Sequence, residues 1–279
     1  GFPMRRFALP LMLCLLSSAA LAQDPVRYPG LGDGDTTPGT PSMPQDIELT
    51  VAAGVGVAPK YLGSSDYHAI FTPAVKLEYK QKAFLVIDRQ AMMVPYEGLG
   101  IKMLGDQNWY VGFNMTYDKG RSDNTSPIRG IGDIDWTALG GVFAAYHPGN
   151  FFVRGQVGYD LLNEFNSYKG ELGTGVVLPI DPSWRAMLEV DTAFAGEGYA
   201  KKFYGINGTQ SASSGLPAFS AGSGFYRMGL GGTLQYTLTQ GAFVQGVARW
   251  DQLLGDAADS PVSDDNSQFM LGTNVGYRF

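Results

Sequence analysis

The chain is poor in the residues on which many enzymes and nucleic-acid binders depend. Its 279 residues hold one cysteine, Cys14, and two histidines, His68 and His147. One cysteine excludes an internal disulfide framework and any cysteine-paired zinc site. Two isolated histidines leave little to serve a nucleophile as base, and no P-loop, dinucleotide fingerprint or zinc spacing occurs. Neither a catalytic residue nor a cofactor nor a metal is therefore expected. Charged residues amount to only 16%, with 20 Lys and Arg against 26 Asp and Glu, a net charge of -6. An acidic chain without a basic cluster is a poor nucleic-acid partner. After residue 22 no apolar run is long enough for a membrane helix.

What the chain does have begins with Met4-Arg5-Arg6, an apolar run over 7–16 and small residues ending at Ala20 and Ala22. That order predicts a secretory signal over 1–22, with Gly1 to Pro3 lying before the expected initiator. Its removal would leave 18 basic and 26 acidic residues, net -8, and no cysteine. Residues 23–45 carry repeated proline and glycine with little to bury, which predicts a disordered periplasmic tail.

From residue 46 to 279 the pattern changes to period two. The last stretch, QFMLGTNVGYRF at 268–279, alternates apolar Phe269, Leu271, Val275 and Tyr277 with small or polar residues. It ends on an aromatic residue, as the closing strand of an outer-membrane barrel does. About twelve such strands are expected, at 47–57, 69–79, 83–91, 96–104, 108–117, 134–147, 151–160, 168–178, 184–194, 224–236, 242–253 and 268–279. Tight turns alternate with longer links, the asymmetry of a transmembrane antiparallel β-barrel with short turns in the periplasm. Strand-end aromatics such as Trp109, Tyr146 and Trp184 suit the interfacial girdles. Charges of both signs, among them Lys76, Glu78, Asp88, Arg154, Glu171, Glu189, Asp191, Arg227, Arg249 and Asp251, would face the lumen. A lipid-facing Lys or Arg at mid-depth costs about 2–4 kcal/mol.

Several segments resemble the MipA/OmpV family of outer-membrane proteins, named for an MltA-interacting protein. The first is YLGSSDY at 61–67, with Tyr61, Gly63, Ser64, Asp66 and Tyr67. Next come Gly120-Arg121 and the GIGDID segment that carries Asp133 and Asp135. Phe203-Tyr204-Gly205-Ile206 and a QSASSGL stretch with Ser214 and Gly215 follow. The last are GDAADSP, with Asp256, Asp259, Ser260 and Pro261, and the terminal Tyr277-Arg278-Phe279. The resemblance implies an outer-membrane barrel in contact with lipid and lipopolysaccharide. For the family's namesake it implies a scaffold joining a lytic murein transglycosylase to a penicillin-binding protein. Other members resemble adhesins or uptake proteins, so a narrow channel or adhesin is the alternative, and no catalytic residues carry over.

Two local clusters have a bland and a sharp reading. His68 near Ser64, Ser65 and Asp66 invites a hydrolase, but a triad is defined by spatial arrangement, and a structured loop is the favoured reading. Asp256, Asp259, Asp264 and Asp265 could offer oxygens to calcium or to ions between lipopolysaccharide phosphates. Their spacing fits no calcium loop, and a solvated acidic loop is favoured. The 195–223 stretch is expected either as an external cap or as a plug in the mouth.

Overall fold

The computed structural model describes residues 46–279; the expected signal and tail lie outside the described residues. Thirteen β-segments run in chain order: β1 (Ile47–Pro59), β2 (Tyr67–Phe71), β3 (Ala74–Tyr79), β4 (Ala83–Ile87), β5 (Gly98–Gly105), β6 (Trp109–Asp118) and β7 (Thr137–Tyr146). They continue with β8 (Phe151–Asp160), β9 (Tyr168–Pro179), β10 (Trp184–Ala195), β11 (Gly224–Thr237), β12 (Ala242–Leu253) and β13 (Ser267–Arg278). Apart from β2 and β3, sequential neighbours pair antiparallel, and β13 returns to β1 from Thr50↔Arg278 to Val57↔Leu271, closing the sheet. β2 and β3 both pair with β1, on its outer and inner halves. They form one staggered strand interrupted at Thr72-Pro73, where proline cannot donate to a ladder. The wall therefore has twelve strands.

Burial is inverted relative to a water-soluble protein. Val55 and Leu271 are 67% and 60% exposed, whereas Glu189 and Asp191 are 2% and 3% exposed. Large apolar side chains point outward and ionised ones inward along the same strands, an arrangement that is stable only when the outside is lipid. Trp109, Tyr146 and Phe151 at one edge, and Tyr117, Trp136 and Tyr159 at the other, are exposed as girdle residues would be. On β13 this puts Phe269, Leu271 and Val275 on the lipid face and Gln268 and Asn274 inside.

One expectation fails at the third and fourth strands. The alternation suggested strands at 83–91 and 96–104 with a four-residue link. Instead β4 stops at Ile87, and residues 88–97 turn into the lumen before β5 begins at Gly98. Asp88 and Met93 adopt positive φ (57° and 53°) at the bends. Asp88 accepts the Ala91 amide at 3.0 Å, a local bond that competes with the ladder. The polar run Asp88-Arg89-Gln90 could not have alternated, and the side chains of Arg89 and Gln90 find their partners across the barrel.

Candidate functional site: a crossed lumen beneath an interlocked cap

The inward segment is fastened at two levels. Arg89 donates from Nη1 to Glu189 Oε2 at 2.5 Å, and Arg154 Nε holds the other oxygen, Oε1, at 2.6 Å. Gln90 Nε2 donates to the carbonyls of Ala248 at 2.9 Å and Gly232 at 3.2 Å, while Thr233 Oγ1 donates to the Gln90 carbonyl at 3.0 Å. Glycine makes this approach feasible. A Cβ on Gly231 would stand 2.9 Å from Gln90 Oε1, and one on Gly173 would stand 2.6 Å from Glu189 Oε1. Lower down, Tyr96 donates its hydroxyl to Glu78 Oε1 at 2.7 Å, and Lys76 and Lys102 flank the same carboxylate at 3.0 and 2.8 Å.

Glu189 belongs to a longer ion-pair chain. Arg154 reaches Glu171 at 3.2 Å, and Arg227 bridges Glu171, Asp191 and Asp251 at 3.2, 2.9 and 2.5 Å. Arg249 joins Asp191 and Asp251, each at 2.9 Å. Arg89, Arg154, Arg227 and Arg249 thus face Glu171, Glu189, Asp191 and Asp251, so the formal charges cancel. In a poorly hydrated interior such pairs are rigid when complete and costly when broken.

The motif segments at the opposite end from the tight turns meet in three dimensions. Three short helices lie there: α1 (Glu197–Tyr204), α2 (Gly208–Ser214) and α3 (Gly255–Asp259). α2 starts with a capping box between Asn207 and Gln210 and ends at Gly215 in the left-handed conformation. Ser214 Oγ donates to the Gln210 carbonyl at 2.6 Å. Tyr61 donates to the Val262 carbonyl at 3.1 Å, and Gly63 N–H donates to Gln268 Oε1 at 2.9 Å. Ser260, followed by Pro261, donates to the Tyr204 carbonyl at 2.6 Å. Gly120 turns with φ 70°, so that Arg121 pairs with Ile134 through two backbone bonds of 2.8 and 2.9 Å. The Tyr67 hydroxyl accepts from Phe269 N–H at 3.0 Å, tying β2 to the closing strand. Beneath these contacts Tyr61, Ile128, Ile131, Ile206 and Val262 form an apolar cluster. The 195–223 stretch is the cap, packed by Tyr199, Tyr204 and Tyr226 over the barrel's outer end.

The remaining motif residues act locally. Asp133 accepts the Asp123 amide at 2.8 Å, and the Asp135 amide donates to Glu164 at 3.2 Å. Asp66 pairs with Lys60 at 3.1 Å. Asp256 accepts the Gly222 amide at 2.6 Å, Asp264 takes the Ser65 hydroxyl, Asp265 accepts the Ser267 amide at 2.9 Å, and Asp259 is exposed. His68 sits exposed on β2, while the Ser64 hydroxyl bonds the Asp66 backbone, so these residues do not assemble a triad. His147 is a turn residue beside the Tyr110 ring, and burial pushes its pKa below the usual histidine range. At the terminus the Tyr277 and Phe279 rings stand 4.8 Å apart, and the Phe279 amide donates to the Leu49 carbonyl at 3.0 Å. Sequence reasoning placed Arg154, Glu171 and Glu189 inside but missed Arg89 and Gln90. The signal for them was three consecutive polar residues inside an apolar strand pattern.

Residues 51–279 match the family model described as MltA-interacting protein MipA. The chain belongs to this family. It is 27% identical over 167 residues to the "Putative outer membrane protein YiaT" of Escherichia coli O157:H7, covering 59% of this chain and 66% of that one. The protein of the same name in strain K12 is 27% identical over 147 residues, 52% of this chain and 58% of that one. Similar solved barrels include an outer membrane channel from Pseudomonas putida F1, at 12% identity, TM-score 0.44 and coverage of 92% and 100%. The NanC porin shares 11% identity at TM-score 0.41, covering 83% of this chain and all of that one. This MipA-family chain is an outer-membrane β-barrel.

Proposed function

We propose that this MipA-family barrel is a non-enzymatic, non-conducting anchor that holds murein-synthesising and murein-remodelling enzymes at the inner face of the outer membrane. What supports this reading is the segment 88–97, which bonds across the lumen to the far wall, together with the packed 195–223 stretch at the outer end. A barrel built that way has its periplasmic turns, such as 106–108 and 180–183, and its N-terminal tail to offer partners. The family's description as MltA-interacting supports the choice of a lytic transglycosylase, with a penicillin-binding protein beside it. The test pairs two measurements. Refolded protein in planar bilayers should give no discrete current steps. Photocrosslinkers at Asp106 and Ser183 in cells should capture a lytic transglycosylase. Steady conductance with empty crosslinks would replace the anchor with a narrow uptake channel, the second reading, which the charged lumen lining favours.

A further inference from the structure

A half-open hollow of about 310 Å³ lies between the 61–67 loop, α1 and the end of β6, at the small end of ligand sites, which run to roughly 300–1,000 Å³. Its wall is largely aromatic, with Tyr61, Tyr199, Phe203 and Tyr204 among the lining residues. Lys119, Arg121 and Lys169 also line it, against a single carboxylate, Asp118. Lys169 takes that carboxylate at 2.6 Å.

Among the described residues Arg121 makes no ion pair. It is 8% exposed, and its Nη1 donates to the Phe203 carbonyl at 2.5 Å. Nε is buried with no acceptor, and among the described residues no carboxylate stands within ion-pair distance. The Tyr61 ring centroid lies 5.8 Å from the guanidinium carbon. Nη2 also has no acceptor among the described residues, so the guanidinium keeps a donor in hand for an anion in the hollow. Burial pushes the Arg121 pKa below the usual arginine range. A desolvated cation beside an aromatic hollow is matched by an anion arriving from outside.

We propose that this hollow binds one small carboxylate carried on a ring, the Arg121 guanidinium taking the carboxylate and the aromatic wall taking the ring. A single guanidinium suits a monoanion, and the volume suits one ring rather than an oligomer. Lys119, exposed at the rim, adds attraction on approach. The site faces the cell exterior, opposite the murein-facing turns, and does not depend on the anchor reading.

Titration calorimetry on the full chain refolded in micelles tests it, with glucuronate, benzoate, methyl glucoside and inorganic phosphate as probes. Saturable binding is expected for glucuronate if the ring is a sugar or for benzoate if it is aromatic, and none for methyl glucoside. Arg121→Gln should weaken it by about tenfold or more, the worth of a charge-assisted pair. Lys119→Glu leaves the packing untouched and should weaken it about threefold, a loss that fades with added salt. Heat-modified gel mobility checks that each variant is folded. If Arg121→Gln does not fold, Lys119→Glu decides. The proposal is overturned if neither carboxylate binds, if phosphate alone binds, or if folded Arg121→Gln (or Lys119→Glu, where the first does not fold) binds as the parent does.

Discussion

Glu189 gives the sharpest test of how the lumen is held. Its two oxygens serve two arginines, Arg89 at 2.5 Å and Arg154 at 2.6 Å, with side chains 1%, 8% and 2% exposed respectively. Glu189→Ala leaves Arg154 with Glu171 but strips Arg89 of its ion-pair partner. Breaking a buried pair in this way costs about 3–5 kcal/mol. Arg89→Ala is milder. Glu189 keeps Arg154, and the loss is one charge-assisted hydrogen bond, about 1.5–3 kcal/mol. The double variant removes the stranded charge and should be less destabilised than the sum of the single variants, by at least about 0.5 kcal/mol. Urea unfolding in micelles, followed by tryptophan fluorescence, measures all three. Additive losses, or an Arg89→Ala variant at least as damaged as Glu189→Ala, would refute this account of the crossing segment.

The cap and the wall offer further tests. Ser260→Ala removes the bond to the Tyr204 carbonyl and the acceptor of the Val262 amide. It should cost about 1–3 kcal/mol and speed limited proteolysis of the 254–266 link; an unchanged digestion pattern counts against the interlocked cap. Leu271→Arg puts a cation on the lipid face near mid-strand and should destabilise the barrel by about 2–4 kcal/mol, read as a lowered unfolding midpoint. Burial raises the Tyr61 hydroxyl from 10.0 to about 12. Its folded pKa lies above the unfolded one, so its stabilisation is whole below pH 10 and is lost as pH rises through about 12. Cap proteolysis should increase over that window, and Tyr61→Phe should flatten the response.

Most of the wall was legible because lipid imposes a simple rule. Period two with an apolar face located β8 and β12 at their observed bounds, 151–160 and 242–253. The same rule misled at 83–104. Ala91, Met92 and Met93 are as apolar as lipid-facing residues, yet they pack inside against the lumen's own apolar patches. Composition cannot tell a residue facing hydrocarbon from one buried in a plug. The cap's loops were legible as segments resembling the family's, in order along the chain, but not as an assembly. Its cohesion rests on pairs such as Tyr61 with Val262 and Gly63 with Gln268, which lie about two hundred positions apart. Nothing local in the sequence announces that Arg121 would end beside Phe203 rather than beside the carboxylates Asp133 and Asp135.

The inward turn after Ile87 also leaves its mark on the wall it departs from. With β4 ending there, no strand among the described residues climbs beside β2, which pairs with β1 alone. From Tyr67 to Phe71 the far edge of β2 is a seam in the outer half of the barrel, with exposed Tyr67 at its outer end and exposed Phe71 and Ile87 at its foot. Hydrocarbon gives open backbone groups no partners, so the seam is the stretch where the bilayer and the barrel fit least well. Among the described residues the outer half of β2 is thus where the wall's backbone ladder is least complete.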